Sequence, residues 1–83
     1  MFYVYILESI KYRTWYIGYT KDIENRIIKH NRGDNYSTKA KRPWKLIYYE
    51  AYLNKYDALG RERFLKSGAG HRFIKKQIRN YLN

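Results

Sequence analysis

Residues 2–7 read Phe-Tyr-Val-Tyr-Ile-Leu and residues 14–19 read Thr-Trp-Tyr-Ile-Gly-Tyr, and this pair of stretches decides the fold. The first is apolar or aromatic at every position. Both faces of an extended segment there need cover, which makes it an inner strand. The second is rich in side chains that favour strands, and only the polar run 8–13 separates the two, so an antiparallel hairpin is predicted. Gly18 inside the second strand points to a bulge or to another group coming close to the backbone.

Outward from the hairpin, Thr20 or Asp22 can cap a helix that runs to about Asn31 and stops at Gly33. Residues 34–45 read as a basic loop, and Pro43 leads into a third strand over about 44–53. Asn54 caps a second helix, supported by Asp57, with Ser67-Gly68 as its end. A third helix is predicted over about His71–Leu82, with Ile74, Ile78, Tyr81 and Leu82 on one face. The order is ββαβαα: an α/β (α+β) fold with a three-stranded, mainly antiparallel sheet under packed helices.

The 83 residues suffice for a single domain, 1–83. A chain this short buries only about 60% of the surface that it exposes unfolded. Eleven Tyr, three Phe and two Trp offset that with large burial per residue. The absence of Cys excludes a disulfide frame, a thiolate metal site and a cysteine nucleophile. No apolar run approaches the ~20 residues of a membrane span, and charged residues begin at Glu8 and Lys11, so a cytoplasmic protein is expected.

The net charge of +11 is lopsided. Residues 1–34 carry six basic against four acidic side chains, and residues 35–83 carry twelve against three. A positive field of that density draws polyanions, of which nucleic acid is the commonest. The expected footprint is Lys39, Lys41, Arg42 and Lys45 in the loop with Lys75, Lys76 and Arg79 on the last helix. No helix pairs a basic face with a broad apolar one, which argues against a membrane surface as partner.

Three polar side chains stand where apolar ones are expected. Ile23 and Ile27 define the inward stripe of the first helix, and Arg26 and His30 fall on it. Glu62 interrupts the apolar face of the second helix between Ala58 and Leu65. An inward charge is costly unless it is paired or lines an open cleft. Two explanations stand side by side: an Arg26–Glu62 ion pair that fixes helix packing, or one shared site. A carboxylate, an arginine, an imidazole and phenols suit phosphodiester chemistry, with the carboxylate holding one Mg²⁺ or Mn²⁺ ion. The scarcity of acids favours one ion over two.

Tyr3-Val4-Tyr5, followed after ten residues by Tyr16-Ile17-Gly18, resembles the signature of the GIY-YIG nuclease superfamily, and Arg26, His30 and Glu62 match its further motifs in order. The likeness covers nearly the whole chain. It is greatest to the small single-domain bacterial branch, related to the nuclease domains of excision-repair proteins, homing endonucleases and structure-specific nucleases. The resemblance implies a catalytic set of Tyr5, Tyr16, Arg26, His30 and Glu62, with one tyrosine as general base and the other orienting water and phosphate. It makes Gly18 the point of close backbone approach, Arg26 the transition-state cation and Glu62 the metal ligand. It also implies DNA as partner, branched or structured DNA included, with RNA as a further candidate and a protein partner as the source of specificity.

The chain departs from that pattern in three places. Tyr3 replaces the first glycine. For the polar residue after the first helix, only Ser37, Thr38 and Lys39 are candidates. No Asn lies between Glu62 and Gln77. The missing Asn sustains a second reading, a nucleic-acid-binding module of the same fold with weak or no catalysis, beside a third as an interaction adaptor.

Overall fold

The computed structural model describes residues 1–83. Strand β1 (Phe2–Ser9) is the centre of a three-stranded antiparallel sheet, flanked by β2 (Trp15–Thr20) and β3 (Trp44–Tyr52) in the order β2-β1-β3. The expected inner strand is therefore inner. Every residue from Val4 to Ser9 is buried, because ladders close both its sides and helices cover both its faces.

The register sorts the aromatic residues. Tyr5 pairs with Gly18 on one side and Tyr49 on the other, so these three share a face. Ile6, Ile17 and Tyr48 share the opposite face. On that second face Val4, Ile6 and Ile17 pack with Ala58, Leu65 and Ile74. On the first, Tyr5, Leu7 and Trp44 form a smaller core with the half-buried Tyr16, Ile23, Ile27 and Leu46. Burying a Leu or Ile side chain contributes about 1.5–3 kcal/mol, so the larger cluster carries most of the apolar stabilisation.

Helix α1 (Ile23–Arg32) starts at Asp22, whose side chain accepts from the Asn25 amide, and stops at Gly33 in a left-handed turn with φ of 85°. The same residue type closes many helices, because a side chain there is strained. The basic stretch after it is not wholly a loop. Asn35 caps the short helix α2 (Tyr36–Lys39) by accepting from the Ser37 amide. Helix α3 (Lys55–Leu65) begins at Asn54 as expected, with Asp57 in its first turn.

Two expectations about the C-terminal part need correction. Ser67 and Gly68 open the next helix more than they end the last. Helix α4 (Gly68–Gln77) takes Ser67 as its cap, through a bond from the Gly70 amide, and so starts three residues before His71. A β-carbon on Gly70 would collide with the backbone of Phe64 and Leu65, which is why the turn from α3 can be so tight. The last helix is also not continuous. Ile78, at φ −112° and ψ 30°, separates α4 from α5 (Arg79–Leu82). Ile74 and Ile78 pack on the larger core, whereas Tyr81 and Leu82 remain 45% and 39% exposed. The change of direction takes the Tyr81 hydroxyl to the Glu8 carboxylate, 2.7 Å away. No helix is long and apolar enough to cross a membrane.

Candidate active site

Strand alternation separates Tyr16 from its neighbours: Trp15 and Ile17 face the larger core, and Tyr16 faces α1 with Tyr5. Helix α1 lies across that face and brings Arg26 and His30 down onto the two tyrosines. The Tyr5 hydroxyl lies 3.0 Å from His30 Nε2, and Arg26 Nε donates to the same hydroxyl at 3.4 Å. The Tyr16 and His30 rings meet edge to face, with centroids 4.9 Å apart.

Thr38 completes the group. His30 Nδ1 lies 2.8 Å from Thr38 Oγ1, and that hydroxyl donates at 3.4 Å to the Asn35 carbonyl. A hydroxyl that donates there accepts from Nδ1–H, leaving Nε2 to accept from Tyr5 O–H. A continuous chain of contacts thus runs from Arg26 through Tyr5, His30 and Thr38 to Asn35. Among the three polar candidates after α1, Thr38 is the one buried against the histidine. Sequence reading gave no ground for choosing it over Ser37 or Lys39.

Environment fixes the charge states. Burial, opposed in part by the Arg26 hydrogen bond, pushes the Tyr5 phenol up to about 12, so it stays protonated. Burial and then the Arg26 charge hold His30 below its ordinary value, so its ring is neutral near pH 7. The bond to Tyr5 raises the Arg26 pKa further. Gly18 is the residue opposite Tyr5, and a β-carbon there would overlap the Tyr5 hydroxyl. The close approach expected at Gly18 is that of a phenol.

The open mouth is a cleft of about 490 Å³ lined by Arg26, Lys29, His30, Asp34, Asn35 and Tyr36. Tyr36 stands at its rim, 94% exposed.

Glu62 is placed differently. Its helix, α3, packs on the other face of the sheet through Ala58 and Leu65. Arg61 and Glu62 flank that buried line on opposite sides. Arg61 turns to Glu50 of β3, at 2.9 Å, so Glu62 turns toward the β2 edge. Its charge reaches Tyr5, where it is the smallest contribution raising the phenol. The Arg26–Glu62 ion pair does not form. Arg26 is held by Tyr5, and Glu62 pairs at 3.3 Å with Lys66, one helical turn on.

A hard divalent ion asks for oxygen ligands. No three His, Asp or Glu side chains converge anywhere in the chain. A single carboxylate fits Mg²⁺, which keeps several waters and is commonly held by one or two carboxylates together with substrate phosphates. Glu62 is such a residue, its side chain 20% exposed.

The basic residues come from several elements. Lys39, Lys41 and Arg42 surround α2 next to the tyrosine cluster, with Arg42 Nε donating to the Lys39 carbonyl. Lys45, Lys75 and Arg79 line a cleft with Glu8.

The chain matches the GIY-YIG catalytic domain over residues 1–76. It is 43% identical over 74 residues to a UPF0213 protein of Staphylococcus saprophyticus, covering 88% of this chain and 89% of that one. It is 39% identical over 79 residues to a UPF0213 protein of Pediococcus pentosaceus, covering 90% and 82%. The solution NMR structure of a UPF0213 protein from Bacillus halodurans superposes with a TM-score of 0.57 at 33% identity, over 94% of this chain and 86% of that chain.

Proposed function

Since the chain belongs to the GIY-YIG catalytic domain family, whose chemistry is of the nuclease type on nucleic acid, we propose that it is an endonuclease domain that hydrolyses DNA phosphodiester bonds with one divalent ion. The observation that supports this reading is the clustering of Tyr5, Tyr16, Arg26 and His30, with Arg26 and His30 both on the Tyr5 hydroxyl.

The charge states divide the roles of the tyrosines. A phenol held protonated, with a pKa of about 12, is a poor base. Tyr5 is therefore a positioning residue that aligns Arg26 and His30. Tyr16, half-buried on the edge strand, is then the phenol we assign to the proton of the attacking water. The Arg26 guanidinium neutralises charge on the phosphoryl oxygens. Glu62 would hold the Mg²⁺ or Mn²⁺ ion, which supplies positive charge at the leaving oxygen when bound. Lys39, Lys41 and Arg42 hold the DNA backbone beside the cleft.

The Glu62–Lys66 pair favours a second reading, a nucleic-acid-binding module in which that carboxylate is occupied by its own helix. One assay separates the two. Branched, single-stranded and duplex DNA are incubated with the protein in Mn²⁺ or Mg²⁺, with Glu62→Ala as control. Cleavage by the parent and none by the variant is expected. Binding of all substrates without cleavage by the parent leaves the binding module.

A further inference from the structure

A second cleft shares no lining residue with the one at Arg26 and His30. It lies between the ends of β1, β2 and β3 and the C-terminal helices, with a volume of about 930 Å³. That is near the top of the roughly 300–1,000 Å³ range of ligand pockets. Its wall carries four cations, Arg13, Lys45, Lys75 and Arg79. It also carries three rings. Trp15 and His71 lie 5.7 Å apart, and Lys45 sits 5.2 Å above the centre of Tyr81.

The floor is built. Glu8 is 4% exposed, and it gathers the Tyr81 hydroxyl at 2.7 Å, the Trp15 indole N–H at 3.2 Å and Arg13 at 3.4 Å. Burial by itself would raise this carboxyl, but those three donors hold it below the usual range, so it stays charged. One buried anion thereby fixes two of the rings and one of the cations, and the other three cations stay exposed to solvent.

We propose that this cleft is a second nucleic-acid subsite that takes an unpaired strand, its phosphates on Lys45, Lys75 and Arg79 and its bases on the Trp15, His71 and Tyr81 rings. The inference rests on the reading of nucleic acid as substrate. Cations interleaved with rings form the pattern that tracks a single strand, since every base offers a face for stacking. A duplex keeps those faces inside its own stack. An acidic peptide would use the cations and leave the rings idle. The cleft would hold the unpaired arm of a branched or end-frayed substrate while the duplex portion rests near Lys39 and Lys41.

The test uses the full chain and three probes: a short oligothymidylate, a blunt duplex and poly-glutamate of matched charge. Three proteins are titrated: the parent, Lys75→Glu/Arg79→Glu, and Lys39→Glu/Lys41→Glu. All four substituted side chains are exposed, so each variant should fold. The first double variant is expected to lose at least tenfold in oligothymidylate affinity and about threefold for duplex, with the reverse for the second. Tryptophan emission of the parent should change on adding oligothymidylate, a change lost in Trp15→Phe, and poly-glutamate should leave it unchanged. Equal losses for both probes in both variants would reduce the cleft to general electrostatics and overturn the inference. So would poly-glutamate binding as tightly as oligothymidylate. In either case duplex binding by the parent keeps the nucleic-acid reading intact, whereas no binding of any DNA at low salt removes both.

Discussion

His30 stands between Tyr5 and Thr38, with one ring nitrogen 3.0 Å from the phenol and the other 2.8 Å from the threonine hydroxyl, and it has no exposure to solvent. Both ring nitrogens are therefore partnered inside the protein. Removing the Thr38 hydroxyl in Thr38→Val leaves a buried N–H without an acceptor at nearly constant volume. An unsatisfied buried donor costs about 1–3 kcal/mol. The melting temperature should fall by several degrees and cleavage should drop with it. Thr38→Ser should restore both, because it returns the oxygen. Recovery of neither would mean that the methyl group, not the hydroxyl, is what matters at this position.

At Gly18 the expected outcome is loss of activity with little change in binding. The added carbon of Gly18→Ala would overlap the Tyr5 hydroxyl, and the paired backbone of β1 and β2 gives it no room to retreat. The ring must turn aside, breaking its contacts to Arg26 and His30. Overpacking of this kind typically costs 1–3 kcal/mol. Duplex affinity of the folded variant should stay within about threefold of the parent's, since the basic residues near α2 are untouched. Full cleavage by this variant would show that the Tyr5 contacts are dispensable.

Glu62 can be tested for stability separately from chemistry. Its partner Lys66 is more than half exposed, and such a pair within one helix contributes about 0.3–0.5 kcal/mol. Glu62→Gln should therefore melt within a few degrees of the parent in metal-free buffer. DNA binding without metal should persist or tighten, because a repulsive charge is gone, and cleavage in Mn²⁺ should vanish. A large melting drop would assign Glu62 a structural role instead.

Alkaline titration separates the eleven tyrosines. Tyr5, Tyr48 and Tyr52 are all pushed up to about 12, first by burial, with Glu50 adding to the shift in the latter two. In the unfolded chain each ionises near 10, so between about 10 and 12 the unfolded state holds fewer protons than the native state. Stability is then present below pH 10 and falls as pH rises through that window. His30 acts at the other end. Its folded value lies below 6.5, so the unfolded state binds the extra proton first, and stability falls as pH drops below 6.5. Ultraviolet absorbance of the phenolate should show late-titrating tyrosines. Tyr5→Phe should remove one of them. Complete ionisation by about pH 11 in the folded protein would contradict the buried network.

Salt dependence gauges the footprint. Each phosphate neutralised on duplex DNA contributes about −0.9 to the slope of log K against log salt. Three to six contacts from Lys39, Lys41, Arg42, Lys45, Lys75, Lys76 and Arg79 give an expected slope of roughly −3 to −6. Titrations at several salt concentrations measure it directly, and a slope near zero would exclude backbone contacts.

The sheet was legible because each of its signals is local. The double-sided apolar run at 2–7 needs cover on both faces, and Asp22, Gly33 and Asn54 each act within a turn of their own position. Arg26 and His30 could be singled out because they break a helical stripe. Thr38 could not be fixed, because its role depends on a four-residue helix that brings it back onto α1. Nor could the Glu8 assembly be anticipated, since a carboxylate at the end of a strand reads as solvated until Tyr81 arrives from 73 positions away. Glu62 shows the limit of periodicity, which finds the inward side of a helix and says nothing about which face of the sheet that helix covers.

The central place of β1 carries a consequence for how the molecule opens. Its amides and carbonyls are shared between two ladders, so exchange with solvent there should await disruption of the whole sheet, whereas α1 is joined to the sheet mainly by the smaller core. Tyr5 thus rides on the last segment to let go, and Arg26 and His30 ride on one that can lift earlier. Warming should pass through a state in which the strands still protect their protons but the cation and the imidazole have left the phenol. Such a molecule would keep its shape and lack the arrangement proposed for cleavage, and would regain it as α1 settles back.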